Sequence, residues 1–147
     1  MSGGLTFEGV AHPPPKSVRD HPSDLSAGEL QAVATGGTAG LPVHVEHDTS
    51  VNSVGSVLSS WRGRAGELRV VGHVSDPATA DRVRKGDLRG LSLGTDCLAA
   101  MDGSVLCRNQ RELSLCNEGR RPGTWVDHID GRRVHSLECS SKPKGPR

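Results

Sequence analysis

The stretch RKGDLRGLSLGTDC, residues 84–97, contains Gly90-Leu91-Ser92-Leu93-Gly94, and its reading decides the fold. As G-x-S-x-G it matches the nucleophile elbow of α/β-hydrolases, where the serine sits between a strand and the helix that follows. Here the elements run in the other order. Upstream, DPATADRVRKG (76–86) is a well-marked helix: Asp76 can cap it, Pro77 suits the first helical position, and Gly86 suits a left-handed stop. Leu91 and Leu93 then alternate with Ser92, as on a strand. An α/β-hydrolase-type esterase remains an alternative that requires a parallel sheet, and no parallel-sheet pattern surrounds His128 and His135.

The alternation repeats in RELSLC (111–116), where Leu113 and Leu115 share one face and Glu112, Ser114 and Cys116 share the other. A turn near Asp102-Gly103 separates the two segments, so they read as paired strands. If their leucines enter the core, Ser92 and Glu112 lie together on an outer face. The plain reading of that face is a solvated polar surface.

Composition sets the wider frame. The 147 residues fit one domain with a real core. One phenylalanine, two tryptophans and no tyrosine leave that core to Leu, Val and Ala, while 19 glycines and nine prolines favour many turns and short strands. A formal net charge of +1 points to neither nucleic acid nor an anionic membrane as partner. No apolar run approaches the ~20 residues that span a bilayer. The start MSGGLTFEGV lacks a signal-peptide layout, so a soluble intracellular protein is expected. The cysteines, Cys97, Cys107, Cys116 and Cys139, form no C-x-x-C pair. They read as free thiols, with no metal site and no cofactor implied.

Working outward, LTFEGVAH (5–12) reads as a first strand, stopped by Pro13-Pro14-Pro15. SAGELQAVA (26–34) has Ser26 and Glu29 at capping-box spacing and reads as a short helix. TGGTAG (35–40) reads as a flexible connector. LPVHVEHD (41–48), SVGSVLSSW (53–61) and GELRVVGHVS (66–75) read as strands, and GTWVDHI (123–129) as the last. The expected fold is mainly β: an antiparallel β-barrel of about seven strands with a few peripheral helices. Residues 1–135 form the domain, and 136–147 a disordered basic, Pro-rich tail.

Three segments carry a resemblance to a known family. LPVHVEHDTSVNSVGSV (41–57) resembles the segment of herpesvirus capsid maturation proteases (assemblins) that holds their first catalytic histidine. GLSLG resembles the segment of their nucleophilic serine, and SLCNEGRRPGTWV (114–126) resembles their double-arginine oxyanion stretch. LTFEGVAHPPP (5–15) is similar to the opening strand of assemblins. DPATADRVRKGDLRGLSLG (76–94) looks more like the related tailed-phage prohead proteases, with a helix ending in glycine before the serine strand. The resemblance covers roughly residues 5–127, with the three motifs in the family's order.

The resemblance implies that Ser92 is the nucleophile and His47 the catalytic histidine. Assemblins carry a second histidine where this chain has Glu112. RELSLCN instead resembles the glutamate strand of the phage enzymes, which makes Glu112 the third member. A carboxylate suits that place, because it holds the imidazole tautomer and stabilises imidazolium. Glu118, Glu46 and Asp96 are competing acids. Strand parity does not single out His47, which shares it with Val43 and Val45. The oxyanion donors implied are the backbone N–H groups of Arg120 and Arg121, beside Gly119.

The function implied is a serine endopeptidase of viral capsid maturation that cuts the internal scaffold protein, and itself, inside an assembling procapsid. Its partners would be the scaffold as substrate, the capsid protein indirectly, and a second copy of itself in a homodimer. The alternative from another class is a catalytically inactive capsid-assembly or scaffold-associated protein with the same barrel.

Overall fold

The computed structural model describes residues 4–17, 21–118, 121 and 123–134. The basic tail 136–147 lies outside the described residues. The protein is mainly β: among the described residues, one eight-stranded mixed sheet with two α-helices. In chain order the elements are β1 (Leu5–His12), α1 (Ala27–Ala32), β2 (Pro42–Val45), β3 (Gly55–Arg62), β4 (Leu68–Val74), α2 (Pro77–Arg84), β5 (Gly90–Ala99), β6 (Val105–Cys116), β7 (Val126–Ile129) and β8 (Arg132–Arg133). Across the sheet the strands run β5-β6-β2-β3-β4-β1-β7-β8.

Both α-helices form where their caps predict. Ser26 accepts from the Glu29 N–H and the Glu29 side chain accepts from the Ser26 N–H, a complete capping box. The Asp76 carboxylate accepts from the Thr79 N–H, and Gly86 ends α2 at φ +85°. The connector expected at 35–40 is partly ordered instead, as a π-helical turn over Val33–Gly37. The Thr38 hydroxyl closes it on the Val33 carbonyl at 2.7 Å, and the Ser60 hydroxyl meets the Ala34 carbonyl at 3.0 Å.

Two features depart from the expected antiparallel barrel. First, β2 runs parallel to β6, with Val43 opposite Leu113 and Val45 opposite Leu115. Second, the strand ladder does not close. Asp130 and Gly131, at φ +50° and +81°, make the tight turn that folds β8 back on β7. That hairpin occupies the outer edge of β7, and among the described residues the ladder ends at β8, which does not pair with β5. The sheet curls far enough that Gly90 bridges Trp125, with Leu91 N–H bonded to the Thr124 carbonyl and Val126 N–H to that of Arg89. One bridge is not a ladder, and closure needs a continuous register between edge strands.

The core is aliphatic, as the composition requires. Leu5, Leu30, Leu68, Leu88, Leu91, Leu113 and Leu115 are buried around Phe7. No helix among the described residues is long and apolar enough to cross a membrane.

One buried polar group ties the loop after β1 to the strand. His12 donates from Nδ1 to the Pro13 carbonyl (2.7 Å) and accepts at Nε2 from the Leu25 N–H (3.1 Å), which fixes it as neutral imidazole. Burial and the nearby Arg121 hold its pKa below the usual histidine value, against the Pro13 bond and the charges of Asp24 and Glu29. The unfolded chain therefore takes up this proton first as pH falls through ~6.5, and stability is lost from there downward. We expect urea midpoints to fall between pH 7 and 5. His12→Gln, which keeps an acceptor but cannot titrate, should flatten that part of the slope.

Candidate active site

The pairing of β5 with β6 builds the site. Ser92 stands opposite Ser114 and Gly94 opposite Glu112, so Ser92, Ser114 and Glu112 share one face while the four leucines enter the core. This face is not a solvated polar surface: Ser92 is 2% exposed, Glu112 1% and Ser114 0%. The cover is the turn that follows β2.

That turn explains why His47 does not follow strand parity. Glu46 and His47 both have left-handed backbone, at φ +50° and +60°. Two non-glycine residues in that region cost ~1–2 kcal/mol each. The Asp48 N–H closes the turn on the Val45 carbonyl at 3.0 Å. Contacts with β6 and the residue just after it hold Glu46: its N–H donates to the Leu115 carbonyl at 3.0 Å, and its carboxylate accepts from the Asn117 N–H at 2.8 Å. The chain thus reverses at the end of β2, and the His47 ring returns over β5 and β6.

There His47 joins Ser92 to Glu112. Its Nδ1 hydrogen-bonds Glu112 Oε2, and its Nε2 lies 2.9 Å from Ser92 Oγ. Burial pushes the Glu112 carboxyl up. Hydrogen bonds from His47 and Ser114, and the charges of His47 and Arg111, outweigh this and hold it below the usual carboxylate value. An ionised carboxylate only accepts, so Nδ1 carries the hydrogen and Nε2 faces the Ser92 hydroxyl with a free lone pair. Of the four candidate acids, Glu112 is the one bonded to His47. Glu46 is engaged by Asn117, Asp96 by Arg111 at 2.8 Å, and Glu118 is exposed.

Gly94 makes room for the carboxylate. A Cβ built there would lie 2.0 Å from Glu112 Oε2 and 2.7 Å from its carboxyl carbon. Gly94→Ala should displace Glu112 from His47 and cost ~1–3 kcal/mol, the usual range for overpacking. Thermal melts should register the loss, and the His47 Nδ1–H resonance should change.

The Ser92 hydroxyl opens on a cleft of about 570 Å³. Its walls include His12, Lys16, His21, Leu25, Thr95 and Arg111. The segment 21–25 forms one wall and is held from three directions. Arg108 donates to the Pro22 carbonyl, His12 accepts from Leu25 N–H, and Arg121 donates to Asp24 (3.0 Å) and Ser23 (2.6 Å). Arg121 lines the cleft with its guanidinium committed to that wall. Arg120, the other residue expected at the oxyanion position, and Gly119 lie outside the described residues.

Away from the cleft, Glu8, Asp127 and His128 are close enough to share an ion. Arg69 already pairs with both carboxylates, at 2.9 Å from Glu8 and 2.8 Å from Asp127. This grouping is a surface ion-pair network, and sequence spacing gave no sign of it.

No known family profile matches this chain, and no curated protein sequence does. Solved structures do. The KSHV protease in complex with a hexapeptide phosphonate inhibitor aligns with a TM-score of 0.59 and 22% identity, over 86% of this chain and 64% of that one. The same protease of Kaposi's sarcoma-associated herpesvirus in complex with a dimer disruptor aligns with a TM-score of 0.52 and 20% identity, over 87% and 77%. This chain spans somewhat less than two thirds of the first of these. At such identity the likeness is one of fold, and it agrees with the resemblance carried by the sequence motifs: the chain has the fold of a herpesvirus protease.

Proposed function

We propose that this protein is a serine endopeptidase of viral capsid maturation, acting on the internal scaffold protein and on itself inside the assembling procapsid. The observation that carries the proposal is the unbroken hydrogen-bonded chain from Ser92 through His47 to Glu112, with Ser92 and His47 lining a cleft.

The chemistry follows from that chain. Ser92 Oγ attacks the scissile carbonyl carbon as His47 Nε2 takes its proton, and Glu112 stabilises the imidazolium that results. The carbonyl oxygen becomes an oxyanion, for which the backbone N–H groups of Arg120 and Arg121 are the proposed donors. The Asp24 and Ser23 contacts of the Arg121 side chain favour a backbone role for that residue. His47 then returns the proton to the leaving amine, leaving an ester on Ser92. Water, activated by the same imidazole, hydrolyses the ester and regenerates the hydroxyl. No step calls for a metal or cofactor.

Two traits of the structural relatives bear on partners. One KSHV protease structure holds a hexapeptide-based inhibitor, which supports a peptide as occupant of this cleft. Another holds a dimer disruptor, which supports a homodimer here too. The capsid protein would be an indirect partner through the scaffold.

The test is to incubate the purified protein with a proteome-derived peptide library and sequence the new termini. The proposal expects internal cleavage at a recurring short motif. Absence of new termini in the presence of a folded, dimeric protein would favour the inactive capsid-assembly reading.

A further inference from the structure

The catalytic reading uses three side chains, yet a fourth is built into the same network. Ser114 lies on β6 two residues after Glu112, on the same face, and is fully buried. Its hydroxyl donates to Glu112 Oε1 at 2.7 Å and accepts from the His47 backbone N–H at 2.9 Å. With the His47 ring bonded to Glu112 Oε2, the contacts close a ring: His47 backbone, Ser114, Glu112, His47 side chain.

We infer that Ser114 is a positioning residue that grips His47 by its backbone and Glu112 by its second oxygen, and so holds the imidazole in register with Ser92. The inference rests on the protease reading for its kinetic consequence, but not for its structural one.

Three features make the hydroxyl hard to replace. His47 has left-handed backbone, so its conformation must be imposed by its surroundings. Neighbouring contacts pin Glu46 and Asp48, and the bond to Ser114 is the one made by the His47 amide itself. Glu112 is buried, and removing the Ser114 hydroxyl leaves one carboxylate oxygen without its donor in a place water reaches poorly. The two partners of Ser114 are also the two members that must stay aligned through proton transfer. One side chain therefore sets both the reach of the turn and the orientation of the acid.

A purely packing role predicts different behaviour, and cysteine separates the two. Ser114→Cys fills the space but donates and accepts weakly, whereas Ser114→Ala removes the group outright. If Ser114 positions by hydrogen bonding, both variants should lose kcat by roughly 10- to 100-fold with little change in KM, at matched folded fraction. If it only packs, Cys should keep the wild-type kcat. That result would overturn the inference.

A second readout does not depend on catalysis. With ¹⁵N-labelled histidine, the resting wild-type protein should show His47 as a single Nδ1–H tautomer with a downfield proton resonance. Both variants should lose that resonance or show a tautomer mixture. An unchanged His47 signature in Ser114→Ala would overturn the positioning role even if no peptide substrate is ever cleaved. Loss of the signature together with a wild-type protein that cleaves nothing would sink the protease reading and leave this one standing.

Discussion

Ser92→Ala is expected to remove peptide cleavage while leaving the fold intact. The loss in kcat should be on the order of 10⁴- to 10⁶-fold, the scale seen when a serine nucleophile is deleted from a hydrogen-bonded triad. Stability should change little. Among the described residues the hydroxyl makes one hydrogen bond, to His47 Nε2, and such a bond is worth about 1 kcal/mol net. Ser92 is buried among strand neighbours, and alanine occupies nearly the same volume without meeting the ring. Cleavage by the Ala variant at the wild-type rate, with a coincident melting curve, would remove Ser92 from the mechanism.

The second large effect is expected at Glu112. Glu112→Ala leaves His47 Nδ1–H without its partner and frees the imidazole to adopt the other tautomer, in which Nε2 cannot accept the serine proton. By analogy with loss of the triad acid elsewhere, kcat should fall about 10³- to 10⁴-fold. Glu112→Gln should fall nearly as far, because an amide carries no charge to stabilise imidazolium. Glu112→His should retain more activity than Glu112→Ala, since assemblins, which the motifs of this chain resemble, carry a histidine at that place. Equal rates for all four proteins would make Glu112 a structural residue only.

Glu112 also carries a pH signature. Its pKa is depressed in the folded protein by His47, Ser114 and Arg111, against the push of burial. Its stabilisation is therefore complete above the unfolded value of ~4.3 and is lost as pH falls through the lower folded value. Acid unfolding of Glu112→Gln should be shallower than that of the wild type in this window.

Much of this architecture is legible in the chain because its signals are local. Asp76, Pro77 and Gly86 bound α2 within eleven residues, and Ser26 with Glu29 marks the start of α1. The period of two in Leu91-Ser92-Leu93 and Leu113-Ser114-Leu115 sets which residues share a face, and the observed register keeps Ser92, Ser114 and Glu112 together. What is not legible depends on distant partners. Nothing near Val43 announces a parallel neighbour 70 residues later. Asp130-Gly131 is a turn signal, but the two-residue β8 at which the ladder ends is too short to show a pattern. Glu46 and His47 carry no mark of left-handed backbone, since contacts with Leu115, Asn117 and Ser114 impose it. The burial of Glu112 was hidden for the same reason: its cover comes from a turn 65 residues upstream.

The most direct test of the triad uses a peptidyl phosphonate diester, the class of reagent that a serine attacks only when a base activates it. After incubation, intact mass followed by peptide mapping reads both the extent and the place of modification. The account predicts one adduct per chain, located on Ser92, absent from Ser92→Ala and strongly slowed in His47→Ala. A folded wild-type protein that remains unmodified, or an adduct on any other residue, would contradict it.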